Sequence, residues 1–134
     1  MTTVQLRNEL VLRAPNRVGL LADITEHLYA KSINVLGIRA YEEGGIGVFL
    51  IFPDNSRLAA EALETIPDAT ISATSVITAE VPNDRGQLAA VSRALADADI
   101  DVKQLLMIAG DAPTAQIVVD TADNVAALAV LQAR

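Results

Sequence analysis

Two short polar turns carry the residue types best suited to binding a small anion or zwitterion. The first turn lies within Pro15–Ala22 and the second within Pro82–Ala89, and each follows an apolar run and opens an amphipathic helix. The first backbone N–H groups of a helix lack partners and lie at the positive end of its dipole, which suits a carboxylate or a phosphate. The alternative is an ordinary strand-to-helix loop, in which Asn bonds its own backbone.

The two turns are copies within an internal repeat. Pro82 follows Pro15 by 67 residues, which is half of the 134-residue chain. A shift of 67 also aligns other identical residues, and the repeat is predicted to need no gap. The aligned pairs include Leu21 with Leu88, Leu28 with Leu95, Ile33 with Ile100, Val35 with Val102, Ala59 with Ala126 and Ala60 with Ala127.

The composition excludes several functions. With 51% hydrophobic and 20% charged residues, the chain can bury a core. Its net charge of −7 argues against nucleic-acid binding, which needs a basic face. The chain has no cysteine, which excludes disulfides and thiolate chemistry. No signal peptide and no 18-residue apolar run is evident, so we expect a cytoplasmic protein with no membrane partner.

Hydrophobic periodicity predicts the same element order in both halves. The first half is predicted as strand Val4–Leu12, helix Gly19–Lys31, strands Ile33–Tyr41 and Ile46–Phe52, a helix ending near Thr65, and strand Ala69–Val81. A hairpin turn is predicted at residues 42–45, and a cap for the second helix at Asp54, Asn55 or Ser56. The second half is predicted as helix Gln87–Ala98, strand Ile100–Ile108, a turn at residues 110–113, strand Ala115–Asp120 and helix Asp123–Leu131.

The predicted fold class is α+β, with two ferredoxin-like βαββαβ units, antiparallel sheets and helices on one face. The second unit ends at Arg134 before its last strand. The repeat offset predicts that residues 2–7 supply that strand, with 8–75 as the first unit and 76–134 as the rest of the second. The alternative is a frayed N-terminus and an incomplete second unit.

The order of motifs resembles that of ACT domains. Asn16-Arg17-Val18-Gly19-Leu20-Leu21 follows the first strand, and Ile33-Asn34-Val35 opens the second. ACT domains are regulatory modules that bind small ligands, commonly amino acids, in feedback-controlled enzymes such as phosphoglycerate dehydrogenase. The resemblance covers nearly the whole chain as a tandem pair. It implies an amino acid held where two ACT units meet, with its carboxylate on backbone amides and its polar groups on the two Asn positions.

Carried over residue by residue, the resemblance implies two sets of ligand-binding residues. They are Asn16, Arg17, Val18, Gly19, Leu20, Leu21 and Asn34 in the first unit, and Asn83, Gly86, Gln87, Leu88 and Asp101 in the second. Asp101 replaces the strand Asn and Gln87 replaces Leu20, so the two sites are not expected to be equivalent. Ala14 and Val81 precede the turns where a polar contact is found in some relatives, which favours a small or branched apolar amino acid over serine.

The length of the first helix separates Asn16 from Asn34. A dozen helical residues span roughly 18 Å, so one small ligand cannot touch both within one unit. They can meet only if a neighbouring unit packs alongside in the opposite sense. That neighbour is either the other half of the chain or a second chain, and a homodimer is expected because the second-strand edges need cover.

Three functions are compatible with the sequence. The favoured hypothesis is a non-catalytic amino-acid sensor. The second is a freestanding regulatory subunit, similar to the acetolactate synthase small subunit or to a repressor accessory to glycine metabolism, whose partner is a metabolic enzyme. The third is an enzyme, but no nucleophile–base pair, phosphate loop or metal-ligand cluster is evident, so neither catalytic residues nor a cofactor are predicted.

Overall fold

The structure, a computed structural model, describes residues Thr3–Arg134 as six strands and four helices. In chain order they are β1 Thr3–Pro15, α1 Leu20–Ala30, β2 Val35–Glu43, β3 Ile46–Pro53, α2 Ser56–Leu63, β4 Thr70–Pro82, α3 Gln87–Asp97, β5 Val102–Ile108, β6 Thr114–Thr121 and α4 Asn124–Gln132. The predicted α+β class, with antiparallel strands, is confirmed. Thr2, the first residue of the predicted N-terminal strand, lies outside the described residues.

The chain forms two compact units. The first unit is Asn8–Thr74, and the second unit combines the residues up to Arg7 with Ser75–Arg134. In the first unit the strand order is β2-β3-β1-β4, and in the second it is β5-β6-β4-β1. The long strands β1 and β4 therefore contribute residues to both units. Each unit has the βαββαβ order that the repeat predicts.

The core of the first unit lies between one face of its sheet and helices α1 and α2. Leu12, Ile24 and Ile51 are almost fully buried there. Alternate residues of β1 and β3 point toward the helices, as the period of a strand requires. On α1, Leu20, Ile24 and Leu28 form the buried stripe of an amphipathic helix.

The second unit has an equivalent core, and the start of the chain belongs to it. Val4 is 8% exposed and packs in one cluster with Ile77, Leu95 and Ile117. The side-chain amide of Gln132 donates to the Val4 carbonyl at 3.3 Å. The prediction that the N-terminal run completes the second unit is therefore confirmed for its described residues.

The two hairpins differ in length, which corrects the gapless repeat. The first unit turns through Gly44 and Gly45 alone, at φ +59° and +83°, whereas five residues, 109–113, separate β5 from β6. Left-handed backbone at both positions of a two-residue turn is the conformation that glycine tolerates best.

The extra length changes which residues of the two units are equivalent. Leu10 pairs with Ile51 and Ile77 with Val119, so β3 and β6 are related by 68 residues rather than 67. The predicted pairings of Ala59 with Ala126 and of Ala60 with Ala127 are wrong. Ala59 and Ala127 are the equivalent residues, and both are fully buried.

The caps explain where the helices begin. The side chain of Asn55 accepts from the Leu58 N–H, and that of Asp123 accepts from the Ala126 N–H. Asn55 is thus the cap among the three predicted candidates. No helix within the described part of the chain is long and apolar enough to cross a membrane.

Candidate functional site

The turn into α1 leaves backbone donors free. Gly19 precedes the helix at φ +91°, and no side chain caps this end. The Leu20 N–H donates to the Arg17 carbonyl at 3.3 Å, but no bond within Thr3–Arg134 is formed by the N–H groups of Leu21 and Ala22. A left-handed Gly19 lets the chain enter the helix without strain, so two donors at the positive helix end are open to an anion.

These donors border an open cavity of about 390 Å³. It brings together five of the predicted ligand-binding residues with five residues that were not predicted. The predicted members are Asn16, Arg17, Gly19, Leu20 and Leu21, and the others are Ala22, Ala40, Tyr41, Glu42 and Phe49. All ten lie in the first unit.

Strand register explains how the unpredicted residues reach the cavity. Ala40 pairs with Phe49 and Glu42 with Gly47, and directly paired residues share a face of the sheet. That face is the helix-covered one, because Phe49 belongs to the core of the first unit. A Cβ on Gly47 would lie 3.0 Å from the Leu20 side chain and 3.1 Å from the Phe49 ring. Glycine at this position therefore leaves room for two cavity-lining side chains.

Polar groups of the cavity are held by the hairpin and by α1. The backbone N–H of Asn16 donates to the Gly45 carbonyl at 2.8 Å. The Gly45 N–H in turn donates to the Glu42 carboxylate at 2.8 Å. Arg17 forms an ion pair with Asp23 at 2.5 Å, and both side chains are about two-fifths exposed. No hydrogen bond of the Asn16 side-chain amide is found within residues 3–134.

Two predicted residues of the first unit lie away from this cavity. Val18 is fully exposed, at 101% of its reference area, and does not line it. Asn34 lines a separate open cavity of about 520 Å³ with Tyr29, Ser32 and Ile33, beyond the end of α1. Its backbone exchanges hydrogen bonds with Asp54. Asn16 and Asn34 are therefore not brought together within the unit.

In the second unit the turn Asn is engaged by its own hairpin. The side-chain amide of Asn83 donates to the carbonyls of Gly110 and Ala112, at 3.2 and 2.8 Å. Its backbone N–H donates to the Pro113 carbonyl at 2.9 Å. The longer loop of this unit thus supplies the acceptors that satisfy Asn83.

The remaining predicted residues of the second unit surround that turn or precede β5. Gly86 has φ +86°, Gln87 is half-buried and Leu88 is 39% exposed. Asp101 accepts from the Lys103 ammonium at 2.8 Å. This hydrogen bond, with the attraction of the carboxylate charge, raises the pKa of Lys103 above its ordinary value.

The fold is shared with solved structures of low sequence identity. Protein BT0572 from Bacteroides thetaiotaomicron superposes with a TM-score of 0.87 at 22% identity, over 97% of this chain and 89% of that one. The ligand-free regulatory subunit of aspartate kinase from Thermus thermophilus gives a TM-score of 0.65 at 16% identity, over 98% of this chain and 95% of that one. Aspartate kinase from Clostridium acetobutylicum gives 0.56 at 15%, over 96% of this chain and 33% of that one.

Sequence comparison adds no family to these structural matches. No family model and no curated protein matches the chain. At such identities the structural likeness establishes the fold alone. Regulatory subunits of aspartate kinase are thus among the proteins that share this fold.

Proposed function

We propose that this chain is a non-catalytic regulatory protein made of two ACT units, which binds a small amino acid at the turn into α1. The observation that carries the proposal is the cavity beside that turn, which combines the free N–H groups of Leu21 and Ala22 with an unengaged Asn16 side chain. The fold shared with regulatory subunits of aspartate kinase supports a regulatory role.

The lining of the cavity suits an α-amino acid. The N–H groups at the helix start would accept the carboxylate, since they lie at the positive end of α1. Asn16 would bond a polar group of the ligand. Leu21, Ala40 and Phe49 present apolar surface to its side chain, which favours a small or branched apolar residue.

A second copy of the chain is the proposed source of the other wall of the site. The cavity is open on one side, and Asn34 lies beyond the far end of α1. A second first unit in the opposite sense would bring its Asn34 next to Asn16. The equivalent residue of the second unit, Asp101, is bound to Lys103 and would repel a carboxylate.

The proposal predicts one occupied site per first unit and none at the second turn. There the side chain of Asn83 is bound to two carbonyls. Asp84 replaces Arg17, which puts a negative charge on the turn. Both features disfavour an anionic group at that helix start.

A regulatory subunit of a metabolic enzyme is the second candidate. The likeness to the Thermus thermophilus regulatory subunit covers 98% of this chain and 95% of that one, so the whole chain corresponds to a freestanding subunit. In this version the bound amino acid would change the affinity for a partner enzyme, and the coupling would be reciprocal. Affinity capture that reproducibly returns one metabolic enzyme would support it.

A melting screen against the common amino acids tests the sensor proposal. A ligand at 100 times its Kd stabilises the native state by about 2.7 kcal/mol, which raises Tm by several degrees. Asn16→Ala should abolish most of the shift, while Asn8→Ala, an exposed Asn that does not line the cavity, should retain it. No shift with any amino acid would refute the proposal.

Mixing two binding-deficient variants tests whether the site joins two chains. Asn16→Ala and Asn34→Ala should each lose binding as homodimers. Mixed dimers contain one site with both Asn side chains intact, so binding should return to up to half of the mixed dimers' sites. Absence of any recovery after verified subunit exchange would exclude the two-chain arrangement.

A further inference from the structure

The charged side chains that line the first-unit cavity are unequally satisfied. Arg17 is bound to Asp23, so most of its charge is already compensated. Glu42 also lines the cavity, and within Thr3–Arg134 it forms no ion pair with any Lys, Arg or His. The cavity therefore contains one anionic group that lacks a cation.

The Glu42 carboxylate is held in place by the hairpin. One of its oxygens, Oε2, accepts from the Gly45 N–H at 2.8 Å, and Glu42 pairs with Gly47 on the helix-covered face. An ionised carboxylate has about four acceptor positions, so a single N–H leaves most of them open. A fixed carboxylate with open acceptor positions is suited to binding an ammonium group.

We infer that Glu42 binds the ammonium group of the ligand and makes this site selective for α-amino acids over the corresponding α-hydroxy acids. The inference rests on the proposed function, because it assumes that the ligand carboxylate lies at the start of α1. A hydroxyl in place of the ammonium removes the positive charge and leaves Glu42 without a cation. A dicarboxylate would also be disfavoured, since its second charge would approach Glu42.

The second unit lacks this feature. Ala109 is the residue of the second unit equivalent to Glu42, because β2 and β5 are related by 67 residues. The residue equivalent to Arg17 is Asp84. The second turn has therefore lost both the anionic group for an amine and the cationic group beside a carboxylate, which agrees with a binding role for Glu42 in the first unit alone.

Glu43 offers a matched control for Glu42. It is the next residue, pairs with Ile46, and does not line the cavity. Glu42→Gln and Glu43→Gln each remove one negative charge from the same strand. Gln at position 42 retains an oxygen that can accept from the Gly45 N–H, so the hairpin should be preserved.

Calorimetric titration of the full-length chain tests the inference. The probes are L-alanine, L-valine and L-leucine, each compared with its α-hydroxy analogue: lactate, 2-hydroxy-3-methylbutanoate and 2-hydroxy-4-methylpentanoate. The native protein should bind the best amino acid about ten- to a hundredfold more tightly than its hydroxy analogue, as expected for one charge-assisted hydrogen bond. Glu42→Gln should remove that preference, and Glu43→Gln should keep it.

The outcomes separate this inference from the proposal on which it rests. Equal amino-acid affinity in both variants, with the preference intact, would overturn the role of Glu42 and leave the sensor proposal standing. Binding of the hydroxy acid by the native protein as tightly as the amino acid would have the same meaning. If none of the amino acids of the melting screen binds, both proposals fail together.

Discussion

The two units have matching cores and different turns. Leu28 and Leu95 are equivalent and equally buried, and Gly19 and Gly86 enter their helices with nearly the same φ. Yet the Asn16 side chain is unengaged, while that of Asn83 bonds two carbonyls of its own hairpin. One added hairpin residue can thus satisfy a turn from within, so that the same fold does not provide the same site.

The largest expected effect tests the equivalence of the two cores. Leu28→Ala and Leu95→Ala should each lower the free energy of unfolding by about 2–5 kcal/mol, because each leaves a cavity in a closed cluster. Urea titrations followed by far-UV circular dichroism would measure both. A loss below about 1 kcal/mol in only one variant would show that the two cores are not equally packed.

The next effect tests whether the start of the chain stabilises the second unit. Val4→Ala should lower the free energy of unfolding by about 2 kcal/mol, since two buried carbons are removed. Leu6→Ala, on the same strand but 42% exposed, should cost about 0.5 kcal/mol or less. Similar losses in the two variants would argue against a specific place for Val4 in that core.

A smaller effect separates the two turn Asn residues. Asn83→Ala should cost about 1–2 kcal/mol of stability, because two carbonyls lose their side-chain donor. Asn16→Ala in ligand-free protein should cost about 0.5 kcal/mol or less, since its side chain donates to no described group. Chemical denaturation of both variants decides this, and equal losses would remove the distinction between the turns.

The smallest effect concerns the residues that precede and open β5. Asp101→Asn should lower the pKa of Lys103, which NMR titration of the lysine side chain would detect. Because that pKa is raised in the folded state, any stabilisation by the pair is present while Lys103 is protonated and is lost as the pH rises through its titration. The position equivalent to Lys103 in the first unit is Leu36, so Asn34→Ala should leave all lysine pKa values unchanged. An unaltered Lys103 titration in Asp101→Asn would contradict the assignment.

The order of elements could be predicted because it depends on local patterns. Alternating apolar residues, helix caps and the Gly44-Gly45 turn each act over a few residues. The one-residue difference between the hairpins could not be predicted in the same way. Alanine-rich helices give chance identities, and the matches of Ala59 with Ala126 and of Ala60 with Ala127 concealed the shift.

The candidate site divides along the same line. The cavity-lining residues from 16 to 21 were found because they are contiguous and belong to a motif. Glu42, Ala40 and Phe49 were missed because strand register brings them to the cavity, and register depends on long-range packing. The predicted hairpin already placed Glu42 near β3, but nothing local indicated that its face would be the one beside α1.

The discontinuous make-up of the second unit has a consequence for biosynthesis. Asn8–Thr74 is a single run of chain, so everything that its core needs has been synthesised before most of the second unit exists. Thr3–Arg7, among the earliest residues to leave the ribosome, must wait for partners as late as Gln132. The unit that carries the candidate site can therefore fold during translation, whereas its companion closes only after nearly the whole chain has been made.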